Sequence, residues 1–584
     1  MVQVPFPVLQ ATSIDHTLSQ AGLLKTVNVA ARLAEQAKAM PDAQAVIVQH
    51  PSGAAGKWRY DSITFRQLDQ DSDRVACGLR KMGVTPGTRL ALLVRPGIDF
   101  FTCVFGLFKA GAVSILIDPG MGRRNLISCL QAARPQGFVA LSPVQAVRVL
   151  LKPRFPHARF NVTVGRRWFW RGPTLDELRC EPWHGPELAA TQADDPAAII
   201  FTTGSTGPPK GVLYRHGNFD SQVEEIRDFY GIEPGEVDLA CFPLFGLFNC
   251  AMGVTTVVPD MDASCPALAD PAALVAAVDE CRATQSFASP AVWNRVGPHC
   301  ASRGLHLTTL KRLMSAGAPV SPYVLDRMKS CLADGGEMHT PYGATEALPV
   351  ASISAEEVLS ETAEQTYRGA GVCVGRRFPG ITWKVIRAVD GPIANMSDAE
   401  ELPAGEIGEL IVRGAVVTRE YVTRTEWNAL AKILDGETFW HRMGDVGYLD
   451  DRQRFWYCGR LAHRVLTAAG PMYTERCEAI FNTHAAVYRS ALVGVGPRGN
   501  QRPIIIIEPL TDRIPETVAD RESLVSQMRE IAASSPLTAS IHDVLIHTSF
   551  PVDIRHNAKI FREKLALWAE QELEWEVKRN AGNQ

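Results

Sequence analysis

The sharpest chemistry in the sequence lies in one run, Thr202-Thr203-Gly204-Ser205-Thr206-Gly207-Pro208-Pro209-Lys210-Gly211, entered from the apolar stretch Ala198 to Phe201. Hydroxyls, glycines that bare the backbone amides and a single ammonium make a cradle for polyphosphate, because uncovered backbone can approach an anion closely. The run is not the GxxxxGK[ST] loop, since Pro209 stands where that pattern needs glycine before the lysine. Ten residues of this kind are far more specific than a lone glycine pattern. Other polar residues follow in the order Ser315-Ala316-Gly317-Ala318-Pro319, Tyr342-Gly343-Ala344-Thr345-Glu346, Gly444-Asp445, Arg460 and Lys559. Taken singly, a Gly-Asp pair reads as a turn and a lysine at a helix start as a solvated charge.

Taken in that order, these runs resemble the motifs of the adenylate-forming superfamily, which contains acyl-CoA synthetases, luciferases and peptide-synthetase adenylation domains. The resemblance spans the chain from about residue 30 to 570. It implies an α/β fold: a large N-terminal adenylation domain with parallel-sheet subdomains and a β subdomain, here 1–459, and a small mobile α+β C-terminal lid domain, here 460–584. It implies an AMP-forming ligase that uses ATP and Mg²⁺. By resemblance, Thr202, Thr203, Gly204, Ser205, Thr206, Gly207 and Lys210 hold phosphates, and Gly317, Ala318 and Pro319 lie on the adenine side. Tyr342, followed by Gly343, stacks on adenine, Thr345 reaches the α-phosphate and Glu346 holds Mg²⁺. A hard cation that retains waters takes one or two carboxylates plus substrate phosphates, which suits a single glutamate. Asp445, in a motif with Met443 in place of the family's Thr, would accept from both ribose hydroxyls, with Arg460 nearby. Lys559, in Pro551 to Leu565 (PVDIRHNAKIFREKL), would bridge the substrate carboxylate and the α-phosphate where charge builds during transfer.

The departures from the common pattern carry information too. Leu466-Thr467-Ala468-Ala469-Gly470-Pro471 stands where CoA-using relatives carry a Gly-Gly for the pantetheine arm, and alanine methyls narrow a passage that needs bare backbone. His463 takes the usual hinge position, Arg476 replaces a family glutamate while Glu478 is kept, and His556-Asn557-Ala558 replaces Ser-Gly before the lysine. With Phe242-Pro243-Leu244-Phe245, Val258-Pro259-Asp260-Met261-Asp262 and Val164-Gly165-Arg166-Arg167-Trp168-Phe169-Trp170, this is similar to the olefin-biosynthesis branch, the OleC-type β-lactone synthetases. That resemblance implies a long-chain 2-alkyl-3-hydroxy fatty acid activated as its acyl adenylate. The acid's own β-hydroxyl then closes a β-lactone and releases AMP, and other olefin-pathway enzymes would be partners. An intramolecular nucleophile needs no CoA channel. His463 and His556 are candidate bases for the ring closure, each weighed against a structural role. Phe242, Leu244, Phe245, Leu247, Phe248, Met252 and Phe287 to Pro290 are candidate acyl-chain lining, each weighed against ordinary core. Two other readings stand beside this one: a long-chain fatty acyl-CoA synthetase, and a non-catalytic acyl or nucleotide binding protein. Glu346, Asp445 and Lys559 together argue against the second, since a binding module has no use for a transition-state lysine.

These residues need elements to position them. Ala91 to Val94, Val113 to Ile117 and Gly137 to Leu141 are short apolar runs separated by helical-period stretches, the βα alternation of a parallel sheet, and Ala198 to Thr202 and Leu313 to Ser315 repeat it. From about Gly380 the texture turns β-rich, in Ile381 to Ile386 and Glu409 to Arg413. Strands are expected near Ala491 to Val495 and Pro503 to Glu508 in a last unit after a hinge at Arg460 to His463. Two patterns read as decoys. Gly494 to Gly499 fits GxGxxG but leads into a strand, and His216 with Asp220 (HxxxD) reads as a helix start.

The 584 residues exceed one ordinary core, and 46% apolar with 21% charged residues is a globular composition. Sixty basic against 63 acidic residues give net −3, which overall predicts no electrostatic footprint for nucleic acid or anionic membrane. Thirteen cysteines without a CxxC pair suggest reduced thiols, and the N-terminus has no basic-then-apolar leader, so a cytoplasmic protein is expected. Phe100 to Ile117 approaches the length of a membrane span, but Lys109-Ala110-Gly111 divides it into a helix, a turn and a buried strand ending at Asp118-Pro119-Gly120.

Overall fold

The computed structural model of the protein describes residues 26–53, 56–183, 185–202, 208–552 and 559–582. Apolar runs too short for helices form the inner strands. Val113–Leu116 is buried at all four positions, as a parallel strand covered on both faces must be. Strand Arg89–Leu93 begins ahead of its apolar run, with Arg89 paired to Val113 and its N–H donating to Gln136 Oε1 at 3.0 Å. Together with Gly137–Leu141, Phe160–Val164 and Pro196–Phe201 these strands pair in parallel, and Gly211–Arg215 closes the six-stranded sheet antiparallel. Phe160–Val164 is the opposite edge.

The apolar window around residue 110 resolves into helix Ile98–Lys109, a turn and strand Val113–Leu116. Lys109, the charge that interrupts it, is buried and ion-paired to Asp69 at 2.6 Å and Asp73 at 2.7 Å. No described helix is long and apolar enough to cross a membrane.

A nine-stranded sheet lies beside the first. Its centre is parallel, running Glu337–Ala344, Arg312–Ser315, Gln285–Ala288, Val237–Ala240, Thr255–Val258 and Gln44–Pro51, with antiparallel strands outside. From Val372 the chain builds an antiparallel sheet through Thr382–Ile386, Gly408–Arg413, Thr438–Leu449 and Phe455–Arg460. After Arg460 come the hairpin Val465–Thr467 with Gly470–Met472 and a three-stranded sheet of Val487–Val495, Arg502–Pro509 and Asp543–Ile546. Helices Thr474–Phe481, Val518–Ala533 and Arg562–Gly582 accompany that sheet. The architecture is a large α/β body with parallel sheets and a β-rich part, followed by a smaller α+β unit. Gly494 to Gly499 lies at the turn joining two antiparallel strands of the small unit.

Candidate active site

The phosphate-type run leaves one sheet and the Tyr342 motif leaves the other, so the two sheets present them to a common cleft. Of the run, Thr203, Gly204, Ser205, Thr206 and Gly207 lie outside the described residues, and Thr202 and Lys210 flank them. The Thr202 N–H donates to the Lys210 carbonyl at 3.0 Å, and Thr202 Oγ1 accepts from the Lys210 N–H at 3.2 Å, which closes the base of the loop. Lys210 Nζ lies over the Trp427 ring at 4.4 Å and the Tyr421 ring at 5.0 Å. Burial lowers its pKa, the Glu346 charge opposes that shift, and Arg460 adds to it.

Strand Glu337–Ala344 carries Tyr342 and Gly343 to its end, and Thr345 and Glu346 form the turn into strand Ala347–Ser354. The Thr345 carbonyl accepts from Tyr214 Oη at 2.6 Å. Glu346 is held at both ends. Its carbonyl accepts from the N–H and the Oγ1 of Thr418, each at 2.9 Å, and its Oε1 accepts from Tyr421 Oη at 2.6 Å. Among the described residues none donates a hydrogen bond to Glu346 Oε2, and the ammonium groups of Lys210 and Lys432 feel its charge.

Residues 417–423 form a strap between the sheets. Tyr421 bridges to Val212 and Val417 to Ala347, and Thr423 Oγ1 accepts from the Gly211 N–H at 2.7 Å. Buried Lys432 donates to the Thr418 carbonyl behind the strap. Burial brings the Lys432 ammonium down to about 7, with Glu346 and Glu420 opposing the shift. The sequence reading missed Thr418, Tyr421, Trp427 and Lys432. Their only signal is a lysine inside an apolar strand start, Ala431-Lys432-Ile433-Leu434.

Asp445 and Arg460 sit opposite each other on strands Thr438–Leu449 and Phe455–Arg460. Arg460 Nη1 donates to Asp445 Oδ1 at 2.5 Å, and Tyr342 Oη donates to Oδ2. Asp445 raises the guanidinium pKa of Arg460, against burial, and burial raises the Tyr342 phenol well above its usual range. Ser315, at the end of strand Arg312–Ser315, and Ala316, Gly317, Ala318 and Pro319 after it line the same cleft, and Gly317 takes φ +95°, a conformation that favours glycine.

The small unit supplies the remaining wall. Lys559, His463, Glu475, Glu478 and Arg562 line the cleft together with Thr345, Glu346, Asp445 and Arg460. Arg562 donates to both oxygens of Glu478, at 2.6 and 3.2 Å. His463 Nε2 lies 3.2 Å from Glu563 Oε1, and burial holds its imidazole below the usual range. His556 lies outside the described residues. His216 is a structural histidine. It is buried, its Nδ1 accepts from the Val29 N–H at 3.3 Å, and Asp220 pairs with Arg32 instead.

The cleft continues into an apolar chamber within one cavity of 2210 Å³. Phe242, Leu244, Phe245, Leu247, Phe248, Phe287, Ser289 and Pro290 line it, as the sequence suggested, whereas Ala288 is buried in the core. Phe245 and Phe287 stack with centroids 4.0 Å apart. Met252 packs instead with Val223, Ile226 and Val254 in the core and does not line the cavity.

Two sheets that converge on a polar cleft, capped by a small unit and backed by an apolar chamber, have the build of an enzyme that adenylates an organic acid. The chain belongs to the AMP-binding enzyme family, whose pattern matches residues 33–422. It is 46% identical over 555 residues to the olefin beta-lactone synthetase of Stenotrophomonas maltophilia, covering 94% of this chain and 99% of that protein. It is 44% identical over 552 residues to the olefin beta-lactone synthetase of Xanthomonas campestris pv. campestris, covering 93% and 98%. The fold matches that of the amide bond synthetase of Marinactinospora thermotolerans with a TM-score of 0.73 at 20% identity, over 92% of this chain and 99% of that one.

Proposed function

We propose that this protein activates a long-chain 2-alkyl-3-hydroxy fatty acid with ATP and closes it to a β-lactone. The observation that carries this reading is the single cavity joining Thr345, Glu346, Asp445, Arg460 and Lys559 to the chamber of Phe242, Phe245 and Phe287. The identity to two olefin beta-lactone synthetases over nearly their whole length supports it.

In the first step a carboxylate oxygen bonds to the α-phosphorus and pyrophosphate leaves. Lys559 neutralises the carboxylate and the α-phosphate, Thr345 orients the latter, and Lys210 with the Thr202 to Gly207 loop holds the outgoing phosphates. Asp445 and Arg460 fix the ribose, and Tyr342 with Gly317, Ala318 and Pro319 encloses the adenine. Mg²⁺ supplies charge neutralisation on the phosphates, and Glu346 Oε2 is the oxygen that would hold it. In the second step the β-hydroxyl oxygen bonds to the activated carbonyl carbon. The bond from that carbon to the phosphate oxygen breaks, AMP leaves with the electron pair, and the hydroxyl proton passes to solvent or to a base. Holding hydroxyl and carbonyl together in one molecule supplies the effective concentration that an external thiol would otherwise need.

Residues 1–459 serve as the adenylation domain and 460–584 as a lid turning about Arg460 to His463. The small unit supports this by having apolar clusters of its own. The protein works in the cytoplasm, in keeping with thirteen free thiols, and hands its lactone to further olefin-pathway enzymes.

The test incubates the purified protein with Mg·ATP and such an acid, with and without CoA, and identifies the product by NMR without heating. Lactone and AMP formed without CoA are expected. A CoA-dependent thioester with no lactone would make the protein an acyl-CoA synthetase instead.

A further inference from the structure

The balanced charge of the whole chain conceals one unbalanced segment. Residues 142–171 contain seven Lys and Arg and neither Asp nor Glu, which leaves 53 basic against 63 acidic residues in the rest of the chain. The segment is continuous in the fold. It comprises helix Ser142–Leu150, the short turn Lys152–Arg154, strand Phe160–Val164 and the loop after it, and the strand is the outermost of the six-stranded sheet on that side. The loop folds back along that edge. Thr163 bridges to Thr174, and Trp170 Nε1 donates to Thr163 Oγ1 at 2.8 Å, burying Trp170 as an anchor. Ser142 Oγ donates to the Arg166 carbonyl at 2.5 Å, which ties the loop to the start of the helix.

The same segment exposes large apolar side chains. Leu150 is 78% exposed, Phe169 71%, Trp168 52% and Val147 49%. Trp168 and Phe169 rest against the buried Trp170 ring at 5.4 and 5.1 Å, so they are presented by a fixed support. Arg167 is engaged by Glu177 at 2.8 Å, but Lys152, Arg154, Arg166 and Arg171 are exposed with no ion-pair partner among the described residues. In the same segment a hollow of 410 Å³ is lined by Arg148, Lys152, Pro153, Phe155, Pro156 and Ala158, two cations among apolar side chains.

We propose that this sheet edge docks the protein on the surface of an anionic phospholipid bilayer. Tryptophan and phenylalanine favour the headgroup boundary, and long basic side chains reach phosphates around them. Here protruding aromatics are interleaved with unpaired cations and no carboxylate lies between residues 142 and 171, so the complementary surface is an extended plane of negative charge. The geometry also gives the contact a use. Leu141 and Val144, at the start of helix Ser142–Leu150, line the large cavity, and Val147 and Leu150 further along the same helix are exposed. One helix therefore borders both the acyl chamber and the docking face, so an alkyl chain leaving a bilayer has a short apolar route inward.

The experiment floats the full-length protein through a density gradient with vesicles of phosphatidylcholine alone or of phosphatidylcholine mixed with phosphatidylglycerol, without ATP or acid. The outcome is thus independent of the reaction assigned above. The expected result is flotation with the anionic vesicles, weakened by salt. Two variants, Arg166→Gln/Arg171→Gln and Trp168→Ser/Phe169→Ser, should each lower the partition coefficient by roughly tenfold or more, the first by removing two separately contributing charges and the second by removing two apolar anchors at the headgroup boundary. Their thermal midpoints should match the unaltered protein, because all four side chains are exposed. An unaltered protein that stays at the bottom of the gradient, or variants that float as well as it does, overturns the proposal. Retention of a second protein by this face without vesicle binding would overturn it in favour of a protein partner.

Discussion

At the scale of single residues, the cleft is a balance of few charges at close quarters. Both oxygens of Asp445 are engaged, one by Arg460 and one by Tyr342, so the carboxylate proposed to meet the ribose is held in one orientation. Glu346 has one oxygen held by Tyr421, and among the described residues none donates to the other. Lys559 differs in kind. It comes from the small unit yet lines the same wall as Arg460 and Asp445, so its charge joins the site only when that unit is in place. A group that acts on charge developing in transfer contributes roughly a hundred- to a thousandfold to the rate. Lys559→Ala should therefore lower ATP–pyrophosphate exchange by about that factor or more, with a circular dichroism spectrum and melting curve like those of the unaltered protein. Exchange at the normal rate would mean that another lysine carries this step.

At the scale of elements, the strap 417–423 determines whether the two sheets act as one site. It pairs with Gly211–Arg215 on one side and contacts Ala347 on the other, so it fixes the exit of the phosphate-type loop relative to Glu346. Tyr421 makes the decisive contact, and a hydrogen bond to a charged group contributes about 1.5–3 kcal/mol. Tyr421→Phe should raise the KM for Mg·ATP by roughly tenfold or more while leaving the KM for the acid nearly unchanged. Equal changes in both would show a general loosening of the cleft instead. This element was invisible in the sequence. The inner strands could be read because burial on both faces writes an apolar run, as at Val113–Leu116 and Gly137–Leu141. The glycine and hydroxyl loops could be read because their chemistry depends on residue type and order. Thr418, Tyr421 and Lys432 follow neither rule. They are buried polar residues whose partners lie more than ten residues away in sequence, at the Glu346 turn or within the strap itself, so only the tertiary structure shows what they hold. Met252 failed for the opposite reason, since its residue type suits a chamber and a core equally.

At the scale of the whole molecule, no described apolar cluster crosses residue 460. The clusters before it draw on residues 29–457, and the two after it on residues 465–573. Polar contacts join the two parts. Asp390 accepts from Arg464 at 2.6 Å and from Arg498 at 3.0 Å, and Arg476 Nε donates to the Gly369 carbonyl at 2.6 Å. Ion pairs to the half-exposed Asp390 contribute about 1 kcal/mol or less each, too little to couple the unfolding of two separate cores. Scanning calorimetry of the full chain should therefore resolve two transitions. At about 0.7 kcal/mol per residue, the smaller unit accounts for roughly 90 kcal/mol of unfolding enthalpy and the larger for several times that. Asp390→Ala should lower the smaller transition by about 4 °C or less and leave the larger one in place. A single transition whose calorimetric and van't Hoff enthalpies agree would show one cooperative body, and a lid turning about Arg460 would then lack the independence it requires.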